Sequence, residues 1–153
     1  TTTTTIFLPT LLVPEHDAKC LDYDFGSDKK KVYLHGCHGG NNQQWYLDSS
    51  MQLRTQHDDK CLHHDTGDDS VFMHACHGGN NQKWHWAGKS LMSGHSTRKC
   101  LDIHDGNANM RECHGGPNQL WREATQLTLK RDGKCLDYNP GNRAVYMHDC
   151  HGQ

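Results

Sequence analysis

Aliphatic side chains are scarce in this 153-residue chain: Leu, Ile, Val and Phe together fill only 23 positions. So thin an apolar content raises the question of disorder. Disorder, however, also requires a high net charge, and the formal charge here is only −2. Near-neutrality removes the broad basic field that nucleic acid or an anionic membrane would need, and neither is an expected partner. No apolar run approaches the roughly 18 residues of a transmembrane helix. The first residues, where Thr1 to Thr5 precede Ile6-Phe7-Leu8-Pro9, have neither the basic segment nor the apolar length expected of a secretory leader. The sequence therefore reads as the mature form of a secreted, extracellular protein.

What is present in quantity is cysteine, histidine and repetition. Eight cysteines and four tryptophans offset the poor aliphatic content, because disulfides staple chains that cannot build a large core. The fourteen histidines would add positive charge at acidic pH. Lys-Cys-Leu recurs at Lys19-Cys20-Leu21, Lys60-Cys61-Leu62, Lys99-Cys100-Leu101 and Lys134-Cys135-Leu136. Each is followed by Cys-His-Gly, at Cys37, Cys76, Cys113 and Cys150. Three copies run on into Gln43-Gln44-Trp45, Gln82-Lys83-Trp84 and Gln119-Leu120-Trp121, while the fourth stops at Gln153. The first cysteines lie 41, 39 and 35 residues apart, a period that means tandem structural units.

Within a copy the pattern is that of strands. Leu11 to Val13, Cys20 to Tyr23, Val32 to His35 and Gln44 to Leu47 form four short candidates in the first, with turn chemistry at Gly26-Ser27 and a loop at Gly39 to Asn42. Val71 to His74 and Lys83 to Trp86 repeat the later pair, and no stretch has a helical period. Two cysteines per copy, in register, make local pairing the simplest: Cys20 with Cys37, Cys61 with Cys76, Cys100 with Cys113 and Cys135 with Cys150. Eight cysteines allow about 105 pairings, so the sequence leaves others open. A closed loop near 15 residues contributes about 3 kcal/mol in the chain-entropy account.

The phrases Cys-Leu-Asp and Cys-His-Gly-Gly-Asn-Asn-Gln-Gln-Trp resemble the ricin-type (R-type) lectin family, which includes the lectin domains of the polypeptide N-acetylgalactosaminyltransferases. The resemblance covers roughly residues 11 to 152. It implies an all-β fold, a β-trefoil of four-stranded repeats of about 40 residues with a disulfide in each, plus a partial fourth repeat. The expected divisions are a Thr-rich extension at 1–10, a trefoil at 11–124 (repeats 11–49, 50–88 and 89–124) and an incomplete repeat at 125–153. Trp45, Trp84 and Trp121 are expected in the core, both from the family and because one large aromatic per repeat fills shared space.

The resemblance also implies a carbohydrate-binding function directed at galactose or N-acetylgalactosamine. A galactose-like ring needs a flat side chain under its apolar face and carboxylate or amide groups aimed at its hydroxyls. The family draws these from the Asp of Cys-Leu-Asp, the aromatic two residues before the second cysteine, and the Asn before Gln-x-Trp. The first copy has the full set, Asp22, His35 and Asn42, with edge contacts expected from His38 and Gln43 and a bracing role also open to Gln43. The second has His63 in place of the Asp but keeps His74 and Asn81. The third keeps Asp102 and Asn118, with Arg111 where the ring belongs. The fourth offers Asp137, His148 and His151 but ends before its Asn and Trp. Single sites for sugars are weak, so function favours several sites acting together.

Three copies suffice to close a trefoil, which leaves the fourth in surplus. One expectation is that Ile6-Phe7-Leu8 of one chain completes the unfinished copy of a neighbour, giving a head-to-tail homo-oligomer or filament. The threonines at 1–5 and Thr10, near Pro9 and Pro14, resemble a short mucin-like segment open to O-glycosylation. No catalytic residues, cofactor or metal site are expected. Carboxylate pairs such as Asp58-Asp59 sit in turn-like sequence, and cysteines about 15 apart lack the close spacing of zinc ligands. A structural extracellular fibre protein with relic sugar sites is the alternative reading.

Overall fold

The computed structural model describes residues 8–125 in full and, beyond them, the main chain of Lys134–Asn139 and Ala144–Asp149. It is all-β, in repeats of four strands. The first repeat holds β1 (Leu11–Pro14), β2 (Cys20–Tyr23), β3 (Val32–His35) and β4 (Trp45–Leu47). The second holds β5 (Leu53–Thr55), β6 (Lys60–His64), β7 (Val71–Ala75) and β8 (Trp84–Ala87). The third holds β9 (Ser90–Ser93), β10 (Lys99–His104), β11 (Asn107–Glu112) and β12 (Trp121–Ala124). Strand ends differ from the sequence expectation by at most one residue, and single 3-10 turns occupy Asn41–Gln43 and Asn80–Gln82 at the ends of the Gly-rich loops.

The outer strands close into a ring. β12 pairs with β1, β4 with β5, and β8 with β9, all antiparallel. Bridges from Thr10 to Trp45 and from Gln52 to Lys83 link the remaining neighbours, and Trp121 N–H donates to Lys89 O at 2.8 Å to complete the circuit. The inner strands form three hairpins, β2–β3, β6–β7 and β10–β11, which touch pairwise at Tyr33 and Asn107, Lys31 and Phe72, and Ser70 and Asn109. A six-stranded ring capped by a hairpin triplet is a β-trefoil, and three repeats close it. Thr10, assigned to the extension on sequence grounds, sits in the ring, its N–H and C=O both bonded to Trp45 at 2.8 Å.

The small aliphatic supply is concentrated on the axis. Leu21, Leu62 and Leu101, each following a first cysteine, are fully buried, as are Trp45, Trp84 and Trp121. These six dominate one continuous core, with Leu12, Leu53 and Leu91 from the ring strands. Disulfides join Cys20 to Cys37, Cys61 to Cys76 and Cys100 to Cys113, so three of the four local pairs are formed as expected. Each clips the base of an inner hairpin and holds the start of the following loop against it.

Beyond the ring, β13 (Lys134–Asn139) and β14 (Ala144–Asp149) form a further antiparallel hairpin. Its register repeats the others: Cys135 lies opposite His148 as Cys20 lies opposite His35. The expected Cys135–Cys150 bond, the side chains of Asp137 and His148, residue 151, and the start of the chain at 1–7 lie outside the described residues. So do the expected strand exchange and the threonine modification at 1–5.

Two carboxylates tie neighbouring repeats together. Tyr23 Oη donates to Asp58 Oδ2 at 3.1 Å, and burial followed by the Asp58 charge pushes the phenol above its ordinary pKa. Burial alone would raise Asp58, but the Lys60 N–H, its ammonium and the Tyr23 hydroxyl outweigh it and hold the carboxyl below the usual range. Asp69 is lowered by hydrogen bonds from Lys99 and then from the buried His64. Folded values below the unfolded one, about 3.9, mean that this stabilisation is complete above that pH and disappears as pH falls through the folded values. Thermal unfolding followed from pH 6 to pH 2 should show a falling midpoint below about pH 4, with a shallower slope in Asp69→Asn. An unchanged slope in that variant would remove Asp69 from the account.

Candidate sugar-binding site

The Cys-Leu-Asp and Gln-x-Trp phrases prove to be two halves of one clasp. In the first repeat, Trp45 Nε1–H donates to Leu21 O at 2.8 Å, fastening β4 beneath β2. Two residues earlier, Gln43 is fully buried and uses its whole amide: Oε1 accepts from His38 N–H at 2.8 Å and Gly39 N–H at 3.2 Å. Its Nε2 donates to Asp22 Oδ2 at 2.8 Å and Gly36 O at 3.0 Å. Gln43 therefore has no capacity left for a sugar hydroxyl, and its role is to brace the loop. The second and third repeats repeat the clasp, with Trp84 on Leu62 O, Trp121 on Leu101 O, and Gln82 and Gln119 accepting from His77 N–H and His114 N–H.

Asp22 is 3 % exposed and lies at the focus of this loop. Its Oδ2 accepts from Gln43 and from His38 Nε2 at 3.1 Å, and its Oδ1 from Asn42 Nδ2 at 3.0 Å. A carboxylate offers about four acceptor positions, so one remains on Oδ1. Asn42 is held by a second bond from Nδ2 to Tyr23 O. His38 Nδ1 accepts from Gly40 N–H at 3.0 Å, which assigns the proton to Nε2, the atom facing Asp22. A side chain at Gly40 would meet the His38 ring at 2.8 Å, so only glycine lets that ring fold back over the loop. Gly39 before it has φ 68°, the left-handed conformation that favours glycine.

Above this floor stand exposed rings. His35 is tied only to Gly36 O, through Nδ1 at 3.1 Å, and its ring meets those of Tyr33 and His38 edge-on, with centroids 6.0 and 5.7 Å away. Tyr33 lies directly opposite Asp22 on β3, and burial together with the charges of Asp22 and Asp24 raises its pKa. Asp22, Tyr33 and His35 share one face of the hairpin, with Asn42 and His38 at its edge. The first copy thus assembles the expected carboxylate, ring and amide, and adds a phenol.

The other copies diverge. In the second, His63 lies on the floor beside Phe72, with His74 and His77 around it, and Asn81 Nδ2 approaches His63 Nε2 at 3.2 Å. In the third, Asp102 Oδ2 accepts from Asn118 at 3.0 Å and Gln119 at 2.8 Å, and His114 Nε2 lies 3.4 Å away. Its Oδ1 is buried without a partner, one of two such side-chain atoms among the described residues. The wall there is polar: Arg111 is exposed and bonded through Nε to Asn109, the residue opposite Asp102.

These features agree with comparisons to known proteins. The profile of the ricin-type beta-trefoil lectin domain matches residues 9–121. The chain belongs to the ricin-type β-trefoil lectin family. Among solved structures, it is similar to the β-trefoil lectin of the Vibrio vulnificus hemolysin/cytolysin with N-acetyl-D-lactosamine bound, at 25 % identity and a TM-score of 0.70, covering 82 % of this chain and 99 % of that one. The designed threefold-symmetric protein ThreeFoil is 29 % identical, with a TM-score of 0.64 and coverage of 76 % and 98 %. The earthworm R-type lectin C-half in complex with GalNAc shares the fold at 19 % identity, with a TM-score of 0.66 and coverage of 76 % and 98 %. Comparison with curated protein sequences gives no match.

In this member of the ricin-type family, the candidate site holds one ring and one loop geometry beyond the sequence expectation. Tyr33 had a signal, since strand alternation puts it on the same face as His35. The ring placement of His38, His77 and His114, each with Nδ1 accepting from the second following glycine N–H, had none, because it depends on the fold of the loop. No helix among the described residues is long and apolar enough to cross a membrane.

Proposed function

We propose that this chain is a non-catalytic, secreted carbohydrate-binding protein that takes galactose- or N-acetylgalactosamine-type glycans, with its main site on the first repeat. The observation that carries this reading is the shared face of Asp22, Tyr33 and His35. A buried carboxylate with one unspent acceptor position lies beside an exposed ring, the two surfaces a galactose-like ligand needs. In the third repeat, Asp102 and Asn118 repeat the carboxylate–amide pair of the first, with Oδ1 more deeply buried, and mark a second, weaker place for a sugar. Support also comes from relatives of the same fold, the Vibrio vulnificus lectin with N-acetyl-D-lactosamine bound and the earthworm domain in complex with GalNAc. Two unequal sites on one chain favour multivalent surfaces over free sugar. The disulfides fit an oxidising, extracellular setting.

The test is binding to a panel of immobilised glycans, competed with free galactose and N-acetylgalactosamine and repeated with a chelator. Binding should be competed, chelator-insensitive, and reduced about tenfold by His35→Ala, a change that removes stacking area and one exposed hydrogen bond. Full binding in His35→Ala would move the main site away from the first repeat. No binding by the disulfide-intact protein would end the reading.

A further inference from the structure

The second repeat has lost the carboxylate, yet its floor is not empty of ligating atoms. His63 comes from β6, His74 from β7 and His77 from the loop after Cys76, and one ring nitrogen of each lies within 4.8 Å of the other two. Of these, His77 Nε2 lies 3.4 Å from His63 Nδ1. That matches the edge of a tetrahedron with metal–nitrogen bonds of about 2.1 Å. We propose that His63, His74 and His77 form a binding site for one divalent transition-metal ion of the zinc type.

Three further features favour it. His74 Nδ1 is bonded to Ala75 O at 3.0 Å, which fixes the tautomer and leaves Nε2 as the ligating atom, in the manner of a metal-bound histidine with its outer carbonyl. Burial, then the neighbouring His74 and His77, lowers the pKa of His63 below the ordinary value, which favours the unprotonated ring. The amides of Asn81 and Gln82 approach His63 at 3.2 and 3.4 Å but keep their main bonds to His64 O and Ala75 O, so a metal on His63 leaves both amides partnered. His77 is the weakest of the three ligands. Its Nδ1 accepts from Gly79 N–H, so ligation through Nε2 costs either that bond or the Nε2 proton, which passes to solvent.

Three imidazoles leave a fourth coordination position open toward solvent, and imidazole sets suit zinc, copper and nickel. The first repeat brings Asp22, His35 and His38 similarly close, but there the carboxylate is already committed to three protein donors. The inference does not depend on the glycan reading, since it concerns a repeat from which the sugar acceptor has gone.

Calorimetric titration of the disulfide-intact chain with zinc chloride, repeated with nickel chloride, tests it. One saturable equivalent is expected, weakened at least tenfold in His74→Ala and unaffected in His35→Ala. His74 is exposed and bonded only to a neighbouring carbonyl, so its removal leaves the fold intact; His63→Ala should weaken binding comparably and His77→Ala less. Several weak equivalents that persist in His74→Ala would reduce the effect to scattered surface histidines and overturn the site. Loss in His35→Ala instead would place the ion on the first repeat and overturn it equally.

Discussion

Trp84→Ala should unfold this protein near physiological temperature. The side chain is fully buried at the centre of the axial cluster, and Phe- or Trp-to-Ala changes in cores cost about 3–5 kcal/mol. Removal also leaves Leu62 O, now served by Nε1–H at 2.9 Å, without its buried donor. Domains of this size are stable by only about 5–15 kcal/mol, and one with so few aliphatic residues has little else to close the gap. Trp86, two residues on along β8, provides the contrast, because it is half-buried at the edge of the same cluster. Thermal unfolding should show a loss for Trp84→Ala well above that for Trp86→Ala, with Trp84→Phe between them. Equal losses would mean that the repeated position carries no special load.

That contrast was legible in the sequence, because Trp84 recurs at the repeat period and Trp86 does not. The same periodicity gave the strands, three disulfides and the leucines at 21, 62 and 101, since each is a local pattern stated three times. Less accessible was everything set by the hairpins folding over on themselves. The spacing of the cysteines argues against a metal set and leaves the histidines of the second repeat unweighed, yet antiparallel pairing of Cys61 with His74 and the disulfide to Cys76 bring His63, His74 and His77 onto one face. Gln43 had two candidate roles on sequence grounds, and only its four hydrogen bonds decide for the brace. Nor does sequence alone show that the site carboxylates are largely spent on their own loops. The same three-residue phrase, Cys-Leu-Asp, leaves Asp22 with three donors and Asp102 with two and an orphaned oxygen.

This difference makes Asp22→Ala the most damaging change to be expected in the sugar site, and damaging in two ways at once. Glycan binding on the first repeat should disappear, because the carboxylate directly opposite Tyr33 on the hairpin is gone. Stability should fall as well, by about 3 kcal/mol, since three charge-assisted hydrogen bonds vanish. Gln43 and Asn42 retain second acceptors in Gly36 O and Tyr23 O, but His38 Nε2 retains none within the loop. Asp102→Ala removes two donors' acceptor and at the same time relieves a buried oxygen that has no partner, so its stability cost should be markedly smaller. Paired measurements of unfolding and of glycan binding separate the two effects: His35→Ala lowers binding alone, Asp102→Ala lowers stability modestly and binding only at the weaker third-repeat site, and Asp22→Ala lowers stability and the main binding together. Equal unfolding midpoints for the two Asp variants would show that the His38 hydrogen bond adds nothing beyond the longer His114–Asp102 contact of the third repeat. The loop of the first repeat would then owe its carboxylate only the Gln43 and Asn42 bonds, as the third does those of Gln119 and Asn118.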